Sequence, residues 1–465
     1  MADSYDLIVI GSGPGGYVAA IRASQLGMKT AVVERETLGG VCLNRGCIPT
    51  KALLHCAEMG RSLGRAADFG WNITGQQLDI TRVVQHARDA AEKLSAGVSH
   101  LLKKNAVDVL TGHARLLGAG SIEVQHHTEA TQYSSRHIVL ATGARAKELA
   151  SMPFSEEHVW NATDALNPVA VPERLLVVGS GAIGIEFASI YNSFGSEVSV
   201  VEIQEQILPQ EDRDISTAAR RSFENQGIEI FTATTFDSVN FSAAGVSLDL
   251  QTDGVDPQRR TFDKVLVAVG VTGNTEELGL EALGIKTQDG SICTDQWKAT
   301  NLQGVFAIGD VAGAPWLAHK ASHEAVSCIE RIAGLGTAHP LETSRVPGCT
   351  YSSPQIASIG LTEAAAREAG KSVRTGKFPF AANGKAQAVG QTGGLVKTVL
   401  DADTGEILGV HMIGANVTEL VNTISVAMTL ECTEDYLLRT VFAHPTLSES
   451  LYESTLDALG RAVHV

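Results

Sequence analysis

The sequence predicts an α/β chain of several layered domains, and three observations carry that reading. Short apolar strands end in glycine-rich turns, helical segments follow those turns, and the whole unit occurs twice at a constant offset. At 465 residues the chain has room for two to four domains of roughly 150 residues each.

The first unit opens with Leu7-Ile8-Val9-Ile10, which runs into Gly11-Ser12-Gly13-Pro14-Gly15-Gly16; Tyr17 to Leu26 then reads as a helix ending near Gly27. A second strand, Thr30 to Val33, closes with Glu34. The second unit repeats this order. Leu175-Leu176-Val177-Val178 enters Gly179-Ser180-Gly181-Ala182-Ile183-Gly184, a helix stops near Gly195, and Val198 to Val201 closes with Glu202. The differences 179−11, 181−13, 184−16 and 202−34 all equal 168, so three glycines and an acid recur without insertion inside either unit.

That pattern is the dinucleotide-binding fingerprint, and it predicts two Rossmann-like domains. The first glycine makes the tight turn, the second lets the backbone approach a pyrophosphate, and the third permits close helix-to-strand packing. The helix amino terminus then offers unpaired N–H groups to the anion, and the acid accepts from a ribose hydroxyl. A single such turn is weak evidence, because glycine-rich turns join many strands to helices, and each acid alone could be a strand-end surface charge. At Glu202 the carboxylate repels a 2′-phosphate and Ile203-Gln204-Glu205-Gln206 offers no arginine, so NAD is preferred over NADP. At Glu34, followed by Arg35 and Glu36, FAD or NAD would fit.

Further strands end in glycine. His137-Ile138-Val139-Leu140 enters Ala141-Thr142-Gly143, Val265 to Val269 enters Gly270, and Val305-Phe306-Ala307-Ile308 enters Gly309-Asp310. These suit a parallel sheet whose carboxyl edge carries ligands; Asp310 is either a cofactor-hydroxyl acceptor there or a helix cap. Periodicity lapses between about residues 146 and 172, with Pro153, Pro168 and Pro172, and again near 340, after which the dinucleotide patterns do not return. The expected domains are 1–145, 146–270, 271–343 and 344–465.

Composition narrows the partners. The formal net charge of −16 repels phosphate polyanions, which disfavours nucleic acid and membrane surfaces. No run approaches the ~20 apolar residues of a membrane span. The amino terminus has no basic and apolar targeting pattern. Seven scattered cysteines are too few for a secreted disulfide framework, so a reducing, cytoplasmic setting is expected.

Two of those cysteines stand apart. Gly39-Gly40-Val41-Cys42-Leu43-Asn44-Arg45-Gly46-Cys47-Ile48-Pro49-Thr50-Lys51 holds two thiols five positions apart, eight residues beyond Glu34. In a regular helix five steps of ~1.5 Å already give about 7.5 Å of rise, beyond the ~7 Å Cα limit for bridging. A bridge therefore needs a distorted turn, which Gly46 permits, and a strained bridge is a labile one. Cys42 and Cys47 are read as redox-active. Unrelated buried thiols remain open at this point, as does a zinc site completed by His55 and Cys56, although the spacing lacks the close cysteine pairs of structural zinc sites and no metal is expected.

Together, Gly39 to Lys51, both fingerprints, Ala141-Thr142-Gly143, Gly309-Asp310, Leu317-Ala318-His319-Lys320-Ala321 and His444-Pro445-Thr446-Leu447-Ser448-Glu449 resemble the flavin-dependent pyridine nucleotide-disulfide oxidoreductases over essentially the whole chain. The likeness is greatest to the branch that oxidises dihydrolipoyl groups. It implies FAD on 1–145 at Gly11, Gly13, Gly16 and Glu34, NAD on 146–270 at Gly179, Gly181, Gly184 and Glu202, and a central domain, 271–343, completing the FAD site. It also implies an α+β carboxy-terminal dimerisation domain, 344–465, in a two-fold homodimer. Cys42 would exchange with the lipoyl dithiol and Cys47 would contact the flavin. Lys51 and Glu186 would pair near the flavin's reactive nitrogen, Asp310 would bind FAD hydroxyls, and Thr142, Gly143, Gly270, Ala318, His319 and Lys320 would lie close to cofactor.

His444 and Glu449 also make chemical sense by themselves. Thiol exchange needs a thiolate, yet a free thiol titrates near ~8.5. An imidazole can take and return the proton while a carboxylate orients it; a histidine beside a proline turn is the plainer reading of the spacing alone. The resemblance makes His444 the base, acting across the dimer, and a lipoyl-bearing acyltransferase or glycine-cleavage H-type protein the partner. Val271 and Gly273 stand where the family usually has Arg and Pro, and Ala325 where it has Gly. A glutathione-type reductase would need a 2′-phosphate site and a mercuric reductase an extra carboxy-terminal cysteine pair; the last cysteine here is Cys432. A flavin- and NAD-binding redox sensor without turnover is the alternative from another class.

Overall fold

A computed structural model describes residues 4–465, which form two compact units. The first comprises the chain up to Leu53, Thr81–Lys147 and Gly270–Thr343; the second comprises Leu54–Ile80, Glu148–Val269 and Ser344–Val465.

In the first unit the strand Ser4–Ile10 lies between Thr30–Glu34 and Glu129–Leu140, parallel to both. Asp108–Thr111 extends the sheet beyond Thr30–Glu34, and Val305–Ala307 adds a further parallel strand against Glu129–Leu140. The apolar run 7–10 is continuous because both faces are covered. Leu7 and Val9 pack with Ala19, Ala20 and Ala23 of the helix Pro14–Gln25, whereas Ile8 and Ile10 pack with Ala114, Leu116, Ile122 and Val124 of the antiparallel strands His113–Gly118 and Ser121–His126. The helix begins three residues earlier than the sequence predicts. Pro14 sits in its first turn, where its missing N–H costs nothing and its fixed φ suits the helix.

The chain leaves this unit through Ala144–Ala146 and returns beside it, antiparallel, through Val271–Gly273. A Cβ at Gly273 would run into the Gly290 carbonyl, so glycine at that unusual position is required by packing. Ala325, another of the three departures, is fully buried in one apolar cluster with Ala19 and Ala23, where a methyl group is accommodated.

The second unit holds an all-parallel sheet in the order Glu229–Phe231, Glu197–Val201, Arg174–Val178, Lys264–Val267, Val159–Trp160. The helix Ala182–Phe194 follows the second fingerprint and stops at Gly195, whose φ of +103° suits glycine. Residues 344–465 supply a five-stranded antiparallel sheet with Ile407–Gly414 at its centre, between Gln355–Gly360 and Leu395–Asp401. The helix Glu449–Ala458 lies on strands Val373–Pro379 and Leu395–Asp401, as expected for an α+β carboxy-terminal portion. No helix among the described residues is long and apolar enough to cross a membrane.

Candidate active site

The two fingerprint turns are built alike. Gly11 and Gly179 both have φ of +98°, in the left-handed region that favours glycine. A Cβ at Gly16 would strike the Gly11 carbonyl, and one at Gly184 would strike that of Gly179, so the third glycine allows each helix to start against its own turn. The middle glycine differs. A Cβ at Gly13 would meet only Gly40 Cα at 4.0 Å, and at Gly181 it would meet nothing within 4 Å. What the missing side chain leaves is open room above a helix amino terminus, a fit for a dinucleotide pyrophosphate in both turns.

Each acid faces its turn. Ser12 donates its amide (3.0 Å) and hydroxyl (2.6 Å) to Glu34 Oε2, and Glu36 N–H donates to Oε1 at 2.9 Å. Ser180 donates to Glu202 Oε2 at 2.9 and 2.7 Å, and Gln204 N–H to Oε1 at 2.9 Å. Sequence reasoning passed over both serines, although 180−12 gives the same 168. Beyond the acid, each chain folds back on its serine: Ser12 O accepts from Gly39 N–H at 3.1 Å and Ser180 O from Leu208 N–H at 3.0 Å. In the first copy this return delivers the cysteine segment.

Cys42 and Cys47 are joined in a disulfide, with Cα atoms 4.7 Å apart. The helix Gly40–Arg45 ends and Cys47–Gly64 begins, with Gly46 between them at φ −143°, ψ −114°. A Cβ at Gly46 would come within 3.1 Å of the Val41 carbonyl and 3.2 Å of Cys42 Cα, so the missing side chain lets the chain double back. The expected distorted turn is present. Because the two thiols are bonded to each other, the zinc and unrelated-thiol readings fall away. Lys51 lies one turn into the second of these helices.

The other predicted residues of the first unit gather at the carboxyl edge of its sheet. Thr142 Oγ1 donates to Asn274 O at 2.8 Å and Asn274 Nδ2 to Thr142 O at 2.9 Å, which holds the Thr142-Gly143 turn beside the Gly270 to Asn274 segment. Asp310 lies in the short 3₁₀ turn Gly309–Ala312, whose cap is Ile308, so the capping alternative does not apply. Burial pushes the Asp310 carboxyl up, with Lys320 opposing. Glu324 accepts from Gly309 N–H at 2.8 Å and meets Lys298 at 2.7 Å, while Lys320 donates to the carbonyls of Gly309 (3.2 Å) and Gly313 (2.7 Å). Glu324 and Lys298 brace the Asp310 turn and carried no sequence signal of their own. Ala318 and His319 open the helix Ala318–Ile332 that presents Lys320 and Glu324.

In the second unit Glu186 is buried on Ala182–Phe194 and accepts from Tyr351 N–H at 2.9 Å. His444 Nδ1 lies 2.9 Å from Glu449 Oε1, while Glu449 Oε2 accepts from Thr446 N–H at 2.8 Å. Burial works against ionisation of Glu449, but the Thr446 N–H and His444 hold its carboxyl below the usual range. Its helix is anchored by Asn383 Nδ2, which donates to Thr446 O (3.0 Å) and Ser450 Oγ (3.1 Å). The His444 side chain itself is 77% exposed, free to act on something outside its own fold. Thus one unit carries the sulfur pair and the other the histidine–carboxylate pair.

The comparisons with known proteins agree with this geometry. The family described as pyridine nucleotide-disulphide oxidoreductase matches residues 5–325, and that family's dimerisation domain matches residues 346–455. A dihydrolipoyl dehydrogenase of Rhizobium etli is 50% identical and one of Zymomonas mobilis 49%, each with both chains fully covered. Among solved structures, LpdA of Mycobacterium tuberculosis superposes with a TM-score of 0.89 at 26% identity, covering 98% of this chain and 99% of that one. The Cu(II) complex of the HOCl-induced flavoprotein disulfide reductase RclA of Escherichia coli gives 0.86 at 26% identity, covering 97% and 99%. The chain belongs to the pyridine nucleotide-disulphide oxidoreductases and is an oxidoreductase whose cofactors are FAD and NAD.

Proposed function

We propose that the protein oxidises dihydrolipoyl groups to lipoyl groups and passes the electrons to NAD. The observation that carries this reading is the Cys42–Cys47 disulfide, closed across a glycine break directly after a dinucleotide fingerprint. When bound, FAD and NAD supply the two-electron transfer that returns the reduced cysteine pair to the disulfide.

The chain's own residues handle sulfur and protons. A substrate thiolate attacks Cys42 Sγ, the Cys42–Cys47 bond breaks, and Cys47 leaves as a thiolate. The second substrate sulfur then displaces Cys42, which closes the lipoyl disulfide and leaves the enzyme with two reduced cysteines. Each attack needs a deprotonated thiol. His444 donates Nδ1–H to Glu449, which leaves Nε2 to take the substrate proton. Glu449 orients the ring and stabilises the imidazolium.

In this reading 1–145 with 271–343 holds FAD through Gly11, Gly13, Gly16, Glu34, Thr142, Gly143, Asp310, Ala318 and His319, with Lys51 and Glu186 near its reactive ring. Residues 146–270 hold NAD through Gly179, Gly181, Gly184, Glu202 and Gly270. Residues 344–465 form the interface of a two-fold homodimer, consistent with the match to a dimerisation domain, and His444 of one protomer serves the disulfide of the other. The partner is a lipoyl-bearing acyltransferase or glycine-cleavage H-type protein in the cytoplasm.

The test is an assay of the purified yellow protein with dihydrolipoamide and NAD. Steady NADH formation is expected; a flavin-loaded protein that forms none is a redox sensor, and the reading fails.

A further inference from the structure

After Glu202 the chain returns to the fingerprint at Ser180, but in this second copy it then runs to a buried cation rather than to cysteines. Leu208 binds Ser180 O, Glu211 N–H donates to Leu208 O (2.8 Å), and Gln206 Nε2 donates to Glu211 O (3.1 Å). Asp212, 3% exposed, caps the helix Arg213–Asn225 through Asp214 N–H at 3.0 Å. Ser216 of that helix binds back to Ile207 O at 2.7 Å. Segment 203–212 is therefore tied at one end to the fingerprint turn and at the other to a helix start.

That helix start rests on Lys397, a residue of the carboxy-terminal sheet that is 2% exposed. Its ammonium lies 2.9 Å from Asp212, 2.6 Å from Asp214 and 2.7 Å from Glu363. Glu363 N–H also donates to Asp212 Oδ2 at 3.2 Å, and Lys377 meets Asp214 at 2.9 Å. Three carboxylates meeting one buried ammonium is a costly way to gain stability, since apolar packing of similar volume does as well. A better account is that the cluster fixes one arrangement of the chain. Burial pulls Asp212 and Asp214 up, but the Lys397 ammonium overrides it and holds both below the usual carboxylate range.

We propose that Lys397 is a positioning residue for the pyridine nucleotide: by clamping Asp212 and Asp214 it fixes segment 203–212, and through Leu208 and Ser180 it fixes the turn and the Glu202 carboxylate that meet the adenosine ribose. The inference rests on the reading that the second fingerprint holds NAD.

The test measures NADH affinity by fluorescence titration of the flavin-loaded protein, together with flavin content and the single-turnover rate of disulfide reduction by dihydrolipoamide. Lys397→Met is expected to raise the NADH Kd about tenfold, and to raise KM for NAD with kcat little changed, while flavin content and disulfide reduction stay at wild-type values. Lys371→Ala serves as a control just ahead of the strand Val373–Pro379, where Lys371 meets Asp401 at 3.4 Å and Glu406 at 3.7 Å, and should alter none of these. If Lys397→Met does not fold, Asp214→Asn, at a half-buried position, should still raise Kd about threefold. Wild-type affinity in the variant that folds overturns the proposal, as does a loss of flavin in parallel with NADH. A wild-type protein that binds no NADH would instead sink the functional reading beneath it.

Discussion

Ser12 donates both its amide and its hydroxyl to a single oxygen of Glu34, at 3.0 and 2.6 Å. Ser180 and Glu202 repeat the arrangement 168 residues later, at 2.9 and 2.7 Å. Each acid is thereby fixed over its glycine turn, with acceptor capacity left on the other oxygen for a ribose hydroxyl. The acid is thus a fixed part of the turn rather than a mobile strand-end charge.

Glu202→Arg should exchange a fixed negative charge for a positive one at the ribose. The ratio of kcat/KM for NADP over that for NAD is expected to rise by at least about tenfold. Overall affinity should fall as well, because Ser180 loses its partner. Strict NAD use retained by this variant would show that Glu202 does not discriminate.

The glycines separate cofactor binding from folding. Gly13→Ala and Gly181→Ala place a methyl group in open room, so each should fold with near-wild-type Tm yet lose affinity, the first for FAD and the second for NADH. Gly16→Ala and Gly184→Ala drive a methyl group into a carbonyl and should cost about 1–3 kcal/mol of stability. Thermal melts and flavin content measured on all four decide the matter; equal effects on stability would contradict the cradle.

Cys47→Ser should retain FAD, since the fingerprint turn is held by Ser12 on Glu34 and the Asp310 turn by Glu324 and Lys320 at Gly309. Lipoamide turnover should drop by at least about a thousandfold, the disulfide being the only electron path in the proposed exchange. Turnover near wild type would remove the relay.

Glu449 is held ionised by the Thr446 N–H and His444 against the pull of burial. A carboxyl whose folded value is depressed stabilises the fold above its unfolded value, near ~4.3 for glutamate, and loses that contribution as pH falls through the lower folded value. The stability difference between wild type and Glu449→Gln should therefore persist from pH 8 down to 5 and be lost only in more acid solution. Urea unfolding across that range checks it. A difference that vanishes by pH 6 would mean the pair is already broken there. In the same variant, reduction of the disulfide by dihydrolipoamide should slow by about ten- to a hundredfold at pH 8, with NADH binding unchanged.

What the sequence by itself determined is whatever is written within a few tens of residues. The strand, glycine turn, helix and acid of each fingerprint follow from backbone rules that Gly11 and Gly179 obey alike, and the five-residue spacings of Cys42 with Cys47 and of His444 with Glu449 were close enough to read. Tertiary structure decided the rest. Val305–Ala307 joins a sheet whose neighbouring strand ends at Leu140, Glu324 and Lys298 reach the Asp310 turn from different elements, and Lys397 meets Asp212 across 185 residues. Such partners are selected by packing. Any buried lysine could pair with any carboxylate as far as local pattern goes, and only the folded sheets and helices determine which charges share a dry site.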